Sequence, residues 1–213
     1  LREAERPLVL AGGGVVFSDA VEELNRFLDT NGIPVINTLM GHGVHPSNER
    51  LYLGPIGMHG SLYGNYALQN CDLLLAMGTR FADRIIGKVT EFAPKAKIVH
   101  VDIDAAEIGK NVGVEIPIVG PIRKVLEDLN TESDYGKFDR WVDELNEVKS
   151  KKPLAYVRTD VLKPQYLIQL AHKYFPENTI VATDVGQNQM WVAQYFRFRS
   201  PRRLLTSGGL GTM

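Results

Sequence analysis

The sequence predicts an α/β protein with a doubly wound parallel sheet, followed by a second, incomplete α/β unit. Two observations carry this prediction: short apolar runs recur along the chain, and each is followed by a segment with helical periodicity. The clearest run spans residues 72–77, where the absence of polar alternation is typical of a strand buried on both faces. It should form a central strand.

The first unit is predicted to start with a strand, a tight turn and a helix. Residues 6–14 read RPLVLAGGG, and Ser18 and Asp19 precede a helical pattern that ends at Asn31 and Gly32. The glycines could let backbone amides approach a pyrophosphate, but Phe17 occupies the last position of a G-x-G-x-x-G pattern. A purely structural turn therefore remains an alternative.

The next elements alternate in the same way. We expect strands at 33–37, 97–102 and 114–119, a glycine-rich loop at 38–46, and a second flexible loop at 54–60. Two helices are expected after these loops and strands: one from a Ser61 N-cap through Asn70, and one over 122–129. Since the elements between Arg6 and Asn130 alternate throughout, they predict a unit that folds on its own.

The composition becomes polar between Asn130 and Pro164, which indicates a linker with an isolated helix at 138–150. Beyond it we expect helices at 165–175 and 186–195 and strands at 179–183 and 204–206. Two strands cannot close a core, so the sequence is expected to be a fragment of a longer protein. The predicted division is 1–130 for the first domain, 131–163 for the linker and 164–213 for the truncated second domain.

Charge and composition narrow the functional classes. The 213 residues carry a formal charge of −1, which gives no field that would attract nucleic acid or an anionic membrane. The basic and aromatic run at 195–203 lacks the wider basic face that nucleic acid binding needs. One cysteine excludes an internal disulfide, and no zinc-type spacing or metal site is predicted. No apolar run reaches the length of a membrane span. We expect small-molecule partners, no nucleic acid, no membrane, and a cytoplasmic location.

A candidate ligand site follows the central strand. At Gly78 the apolar run stops, and Thr79, Arg80, Asp83 and Arg84 come next. Ligands of open α/β sheets bind outside the carboxyl ends of the strands, and two arginines favour an anionic ligand. Acids just after the strand at 97–102 could accept ribose hydroxyls. For the segment after Gly78, the alternative is a solvated loop with an internal Arg–Asp pair. For the acids after the strand at 97–102, the alternative is a position in the first turn of a helix, where they favour its dipole.

Four motifs are spread along the chain: GMHG at 57–60, GTRFADR at 78–84, DVGQNQMW at 184–191 and SGGLGTM at 207–213. In this order and spacing they resemble the acetolactate synthase family, also called acetohydroxyacid synthase, in its large catalytic subunit. The resemblance covers the central FAD-binding domain and the start of the thiamine diphosphate domain. It implies a transferase that condenses two 2-oxo acids with loss of carbon dioxide, pyruvate with pyruvate or 2-oxobutanoate, in branched-chain amino acid biosynthesis.

The resemblance also implies cofactors and partners. The cofactors are thiamine diphosphate, FAD and Mg²⁺, with the flavin doing no net redox work. The magnesium ligands and the activating glutamate would lie outside this sequence, so the fragment alone is expected to be inactive. The whole protein would be a homo-oligomer, a dimer or tetramer, with a possible regulatory small subunit. The alternatives are another thiamine diphosphate-dependent carboligase or decarboxylase, and a non-catalytic nucleotide-binding module.

Site residues are implied position by position. Asp83 and Arg84 would stand at the substrate channel, where Arg84 could orient the carboxylate of the second oxo acid. FAD contacts are implied for Gly12, Gly13, Thr38, Leu39, Met40, Gly57, Met58, His59, Gly78, Thr79, Arg80, Asp102, Ile103, Glu107, Gln189 and Met190. Thiamine diphosphate contacts are implied for Val185, Gly186, Gln187, Asn188, Gly211 and Met213. The sequence departs from the family's usual residues at Thr79, Ala82, Pro121 and Asn188.

Overall fold

The structure is a computed structural model that describes residues 1–46, 48–132 and 135–208. The first unit contains a six-stranded sheet of order β3-β2-β1-β4-β5-β6, and every neighbouring pair is parallel. The strands are β1 (Pro7–Ala11), β2 (Val35–Asn37), β3 (Tyr52–Pro55), β4 (Leu73–Met77), β5 (Lys97–Asp102) and β6 (Ile116–Val119). This order reverses direction between β1 and β4 and confirms the predicted doubly wound architecture.

The central position of β4 is confirmed. It pairs with β1 on one side and β5 on the other, and all residues of β1 and β4 are buried. Continuous apolar runs suit this environment, because helices cover both faces of a parallel sheet.

The helices of the first unit are α1 (Gly13–Phe17), α2 (Val21–Asn31), α3 (Leu62–Asn70), α4 (Asp83–Ile86), α5 (Ile122–Thr131) and α6 (Asp139–Lys151). Helix α2 packs on α5, and α3 packs on α6. Because crossovers between parallel strands are right-handed as a rule, α2, between β1 and β2, and α3, between β3 and β4, are expected on opposite faces of the sheet. The Ser61 N-cap is confirmed, since its side chain accepts a hydrogen bond from the Gly64 amide at 2.9 Å. The predicted C-terminus of α2 is confirmed by the left-handed Gly32.

Strand β3 corrects the sequence prediction, which assigned 54–60 to a flexible loop. The prediction missed this strand because it contains Gly54 and Pro55, which normally mark turns. Both are tolerated here, since β3 lies at the sheet edge and its pairing with β2 is irregular. Gly54 has a φ of 75°, which a glycine adopts without strain.

The start of the first helical segment also differs from the prediction. A short helix that was not predicted, α1, begins at Gly13, and Ser18 and Asp19 form the turn between α1 and α2. The Ser18 hydroxyl donates to the Gly14 carbonyl at 2.7 Å, and Asp19 has a φ of 51°. The polar pair therefore precedes α2, as predicted, and also ends α1.

Helix α6 was predicted to be isolated, and this is wrong. Trp141, Val142 and Leu145 are buried, and Trp141 and Leu145 belong to the main core. The Trp141 indole donates to the Pro7 carbonyl at 3.1 Å, and Glu144 pairs with Arg6 at 2.9 Å. Its many charged residues hid this apolar stripe in the sequence. The three-part domain division remains a prediction, but the packing assigns α6 to the core of the first unit.

The second unit contains α7 (Pro164–Tyr174), β7 (Val181–Thr183), α8 (Gln187–Tyr195) and β8 (Leu204–Thr206). Strands β7 and β8 form a parallel two-stranded sheet. A small apolar cluster of Val192, Phe196, Phe198 and Leu204 holds this unit together. None of the helices in the described ranges is long and apolar enough to cross a lipid bilayer.

Candidate functional site

Glycines tie three strand ends together at the point where the strand order reverses. The Gly12 amide donates to Met77 O at 2.8 Å, Gly14 to Gly78 O at 3.0 Å, and Gly78 to Val101 O at 2.8 Å. A Cβ at Gly12 would overlap the Gly78 carbonyl. This close packing supports a structural role for the glycine turn, which the sequence left open beside ligand binding. Gly13 is half-buried at the same edge, with Met40 beside it.

The segment after β4 is anchored from below by Phe81. This residue is 1% exposed, and its ring packs against Phe92 and His100 with centroid distances of 5.6 and 4.8 Å. Its φ of 48° lies in the left-handed region, where a non-glycine residue is strained. Because the Phe81 side chain points into the core, its neighbours Arg80 and Ala82 are exposed.

His100 fixes the same segment and was missed as a site residue. Its Nε2 bonds the Thr79 carbonyl at 2.9 Å, and burial lowers the pKa of the imidazole, so the neutral form donates this bond. Thr79 itself is buried. The sequence offered one signal for His100, a polar residue in the middle of the apolar strand β5.

The two arginines of this segment have different surroundings. The Arg80 guanidinium is exposed and has no ion pair or hydrogen bond within the described residues. The Arg84 guanidinium pairs with the adjacent Asp83 carboxylate at 3.0 Å, and both side chains are mostly exposed. The internal Arg–Asp pair considered from the sequence is therefore present, although an exposed pair contributes only about 0–1 kcal/mol. Arg80 is the residue left available for an anionic ligand.

The acids after β5 also have local roles. The Asp102 carboxylate accepts from the Asp104 amide at 3.0 Å, and Glu107 pairs with Lys110 at 2.9 Å. No cation pairs with Asp102 in the part of the chain that the structure describes. The Ile103 side chain next to it is 72% exposed. Asp102 thus keeps acceptor capacity at the sheet edge.

The loop after β2 begins at the same edge. Thr38 is buried, and its amide donates to the Ala11 carbonyl at 3.0 Å, which joins the ends of β1 and β2. Leu39 and Met40 start a 3₁₀ turn at Leu39–Gly41, and Met40 is 43% exposed. The turn directs an apolar side chain outward where the sheet ends.

The loop after β3 meets the segment after β4. The Met58 amide donates to the Arg84 carbonyl at 2.9 Å, and Gly57, with a φ of 94°, lies against the same backbone. Met58 is 68% exposed. Burial and then the Arg84 cation lower the pKa of His59. Gly57, Met58 and His59 therefore lie beside Arg84.

The first-unit residues predicted for FAD thus follow the ends of five neighbouring parallel strands. Three of their apolar side chains, Met40, Met58 and Ile103, are exposed, and the Arg80 guanidinium has no partner among the described residues. A flavin dinucleotide combines an apolar ring system with an anionic diphosphate. The residues present therefore fit this class of ligand.

The residues predicted for thiamine diphosphate lie at the start of α8. Gly186 is its N-cap with a φ of 136°, and no atom lies within 4 Å of where a Cβ would stand. Gln187 and Asn188 are exposed in the first turn, and Val185 precedes them half-buried. The first amides of a helix lack intrahelical partners and favour an anion. This open helix start fits a diphosphate group.

The other residues of the second unit that were predicted to contact a cofactor are Gln189, Met190, Gly211 and Met213. The Gln189 amide group donates to the Thr206 hydroxyl at 2.7 Å and so lies within its own unit, and Met190 is half-buried. Gln194 makes the polar contact from α8 to the first unit, donating to the His59 carbonyl at 3.0 Å. Gly211 and Met213 lie outside the described residues.

The basic run at 195–203 joins the second unit to the first. Arg197 pairs with Glu49 and donates to the Pro46 carbonyl at 2.8 Å, and Arg202 pairs with Asp19 at 2.8 Å. Phe196 and Phe198 are buried. The basic and aromatic residues of this run therefore hold the two units together.

One cavity lies away from this site. A cavity of about 420 Å³ lined by residues of 94–98 and 113–115 lies at the amino ends of β5 and β6, opposite the ligand edge. Among the described residues, no three His, Cys, Asp or Glu side chains are grouped to hold a metal ion.

The strand order and the glycine switch point define a doubly wound α/β fold, which is joined to a second unit with an open helix start at α8. Residues 1–129 match the thiamine pyrophosphate enzyme central domain, and residues 184–213 match the C-terminal TPP binding domain of these enzymes. The chain belongs to the thiamine pyrophosphate enzymes.

Within this class the chain is similar to acetolactate synthases, as the four motifs predicted. It is 48% identical over 220 positions to acetolactate synthase 1, chloroplastic, of Nicotiana tabacum, covering 100% of this chain and 33% of that protein. It is 46% identical to the probable acetolactate synthase large subunit of Methanocaldococcus jannaschii, covering 100% of this chain and 38% of that protein. It is 46% identical to the acetolactate synthase large subunit of Corynebacterium glutamicum, covering 99% of this chain and 35% of that protein. The chain therefore spans about a third of the length of these relatives.

Proposed function

We propose that the full-length protein is an acetolactate synthase, a transferase that joins two 2-oxo acids with loss of carbon dioxide. The observation that carries this proposal is the 46–48% identity to acetolactate synthases over the whole of this chain. The substrates would be pyruvate with a second pyruvate or with 2-oxobutanoate, and the products would serve branched-chain amino acid biosynthesis. Thiamine diphosphate, when bound, supplies the carbanion chemistry of such a condensation.

The chain contributes binding and orientation to this reaction. The amides at the start of α8, around Gly186 and Asn188, would hold the cofactor's diphosphate, because free helix amides favour an anion. Arg84, positioned by Asp83, would orient the carboxylate of the second oxo acid through a charge-assisted hydrogen bond. We propose Mg²⁺ as the diphosphate's counter-ion, held by residues outside this chain.

FAD is proposed as a structural cofactor at the carboxyl edge of the six-stranded sheet. Arg80 would contact its anionic part, Asp102 its ribose hydroxyls, and Met40, Met58 and Ile103 its apolar rings. Support comes from the exposure of these apolar side chains and from the Arg80 guanidinium, which has no partner in the part of the chain that the structure describes. Gln189 and Met190 would reach this cofactor from the second unit. Gly211 and Met213 would contact the pyrimidine of thiamine diphosphate.

A product assay tests the reaction. We expect the full-length protein to form acetolactate from pyruvate when thiamine diphosphate and Mg²⁺ are supplied, and to lose this activity when FAD is removed. Formation of acetaldehyde alone would indicate a decarboxylase and refute the carboligase assignment. Nucleotide binding without any turnover of 2-oxo acids would favour a non-catalytic module.

Assembly and location are further parts of the proposal. We propose a homo-oligomer of cytoplasmic location, with a possible regulatory subunit. The edge strand β6 offers surface for assembly, since Ile116 and Val119 are about half-exposed there. Light scattering of the full-length protein measures the oligomeric state, and a monomer at working concentration would contradict this part.

A further inference from the structure

A cleft of about 180 Å³ lies where the second unit meets the first. Its walls come from distant parts of the chain: His42 after β2, Tyr52 in β3, Lys149 in α6, Ala193 in α8, and Arg197 just beyond α8. The described residues that line it include none of those predicted to contact a cofactor or a substrate. The cleft is therefore separate from the candidate site above.

Two buried polar atoms of the cleft residues lack partners. Neither His42 Nε2 nor Arg197 Nε makes a hydrogen bond within the described part of the chain, and His42 is only 5% exposed. Buried polar groups in folded proteins nearly always have a partner, and each exception needs an explanation. Arg Nε is always a donor, and His Nε2 is a donor in one of its neutral tautomers. Two residues that line the cleft thus carry unused donors.

The charges around the cleft do not balance. Arg197 pairs with the Glu49 carboxylate, whereas the Lys149 ammonium, within the described residues, donates only to the backbone carbonyls of Glu49 at 2.9 Å and Tyr52 at 3.0 Å. Burial lowers the pKa of His42 to about 4, so this ring is neutral at pH 7. Two cations therefore face one carboxylate, and one negative charge would neutralise the site.

The volume of the cleft and its apolar walls indicate what the uncharged part of a ligand would be. With a volume of about 180 Å³, the cleft has room for a small ligand. Its apolar walls are supplied by Leu53, Pro55, Leu154, Ala193 and Phe196. A ligand with one charged end and a short hydrocarbon end matches both features.

We propose that this cleft binds a small aliphatic carboxylate between the two units. Its carboxylate would accept hydrogen bonds from Arg197 Nε and His42 Nε2, and its hydrocarbon part would pack against Leu53 and Ala193. Binding would hold the second unit on the first, since the ligand contacts both. The site does not depend on the proposed enzymatic activity, and its test needs no turnover.

Calorimetry on the full-length protein with isobutyrate tests this site. Isobutyrate is an unreactive carboxylate with six non-hydrogen atoms, and isobutyramide is a neutral control of the same shape. We expect saturable binding of one isobutyrate per chain, with the amide at least about tenfold weaker because a charge-assisted contact is lost. Absence of saturable isobutyrate binding, or equal affinity for the amide, would overturn the proposal.

Variants locate the bound carboxylate. Arg197→Gln should weaken isobutyrate binding about tenfold or more, whereas Arg199→Gln, on an exposed arginine that pairs with Glu177 and does not line the cleft, should leave it unchanged. Ala193→Leu fills the cleft without removing a charge and should abolish binding. If Arg197→Gln does not fold, the Ala193→Leu variant and the comparison with isobutyramide still test whether the carboxylate binds in the cleft.

Three outcomes of the variant series would overturn the proposal. These are binding that survives Ala193→Leu, an equal loss in Arg199→Gln, and a loss in Arg84→Ala. The last would place the carboxylate at the proposed substrate site instead of the cleft, because Arg84 follows β4 and does not line the cleft.

Discussion

Individual side chains show how burial controls charge in this chain. The sequence contains five histidines, and burial is the first cause of a lowered pKa at each of them: His42, His45, His59, His100 and His172. A histidine with a lowered pKa in the folded state is held neutral there. It therefore contributes stability that is fully present above its unfolded pKa of about 6.5 and is lost as the pH falls.

His42 makes this effect measurable. Its folded pKa is about 4, so it stabilises the protein above about pH 6.5 and loses this contribution between pH 6.5 and 4. From about pH 7 to about pH 5, the wild type should lose roughly 2 kcal/mol more unfolding free energy than His42→Gln, which cannot take up a proton. Urea unfolding at the two pH values measures the difference. Equal losses in the two proteins would mean that His42 is not held neutral by burial.

At the scale of single elements, Gly12 at the switch point between β1 and β4 is required for packing rather than for backbone conformation. Gly12 has a φ of −94°, which any residue can adopt, so only the overlap of a Cβ with the Gly78 carbonyl excludes a side chain. The sequence placed the glycine turn correctly, but the contact between the ends of β1 and β4 depends on a strand order that no local pattern contains.

Gly12→Ala should therefore destabilise the fold by at least about 3 kcal/mol, because two backbones would have to separate. Gly113→Ala is the matched control, since a Cβ there would meet no atom within 4 Å, and its effect should stay within about 0.5 kcal/mol. Chemical denaturation gives both values. A Gly12→Ala protein as stable as Gly113→Ala would contradict the close approach of β1 and β4.

Other elements show which signals can be read locally. Strand β5 was predicted with its observed limits, because a buried parallel strand is a continuous apolar run. Strand β3 was missed because its glycine and proline are permitted only by its position at the edge. For α6 the helix was predicted but its burial was not, since that burial depends on contacts with Arg6 and Pro7 far away in the chain.

At the scale of the whole molecule, α6 decides where the first folding unit ends. Trp141 and Leu145 belong to the main core, so a chain of residues 1–130 would expose the surface that they cover. We expect 1–151 to unfold cooperatively and 1–130 to be several kcal/mol less stable or unfolded. Thermal unfolding followed by circular dichroism compares the two.

Two substitutions in the complete chain serve as controls for these truncations. Trp141→Ala should cost about 3–5 kcal/mol, whereas Trp191→Ala, on a half-exposed side chain of α8, should cost less. If 1–130 were as stable as 1–151, the first unit would end before α6, as the sequence suggested.

The candidate site shows the same division between local and long-range information. Motifs identified the segments that follow the strands, and parallel pairing brings those segments to one edge. Phe81 and His100, which hold the segment after β4, were not identified, because their contacts join two strands. The carboxylate cleft could not be predicted either, since His42, Lys149 and Arg197 meet only in the folded chain.

We propose that the carboxyl edge of the six-stranded sheet holds FAD, with Arg80 contacting the cofactor and Arg84 serving the substrate. The most direct measurement is the flavin retained by full-length Arg80→Ala and Arg84→Ala after gel filtration, together with the KM for pyruvate. Arg80→Ala should bind FAD about ten- to a hundredfold more weakly, as expected for a lost charge-assisted hydrogen bond. Arg84→Ala should keep its flavin and mainly lose use of the second oxo acid. Equal flavin retention in both variants, or flavin loss in Arg84→Ala alone, would contradict the claim.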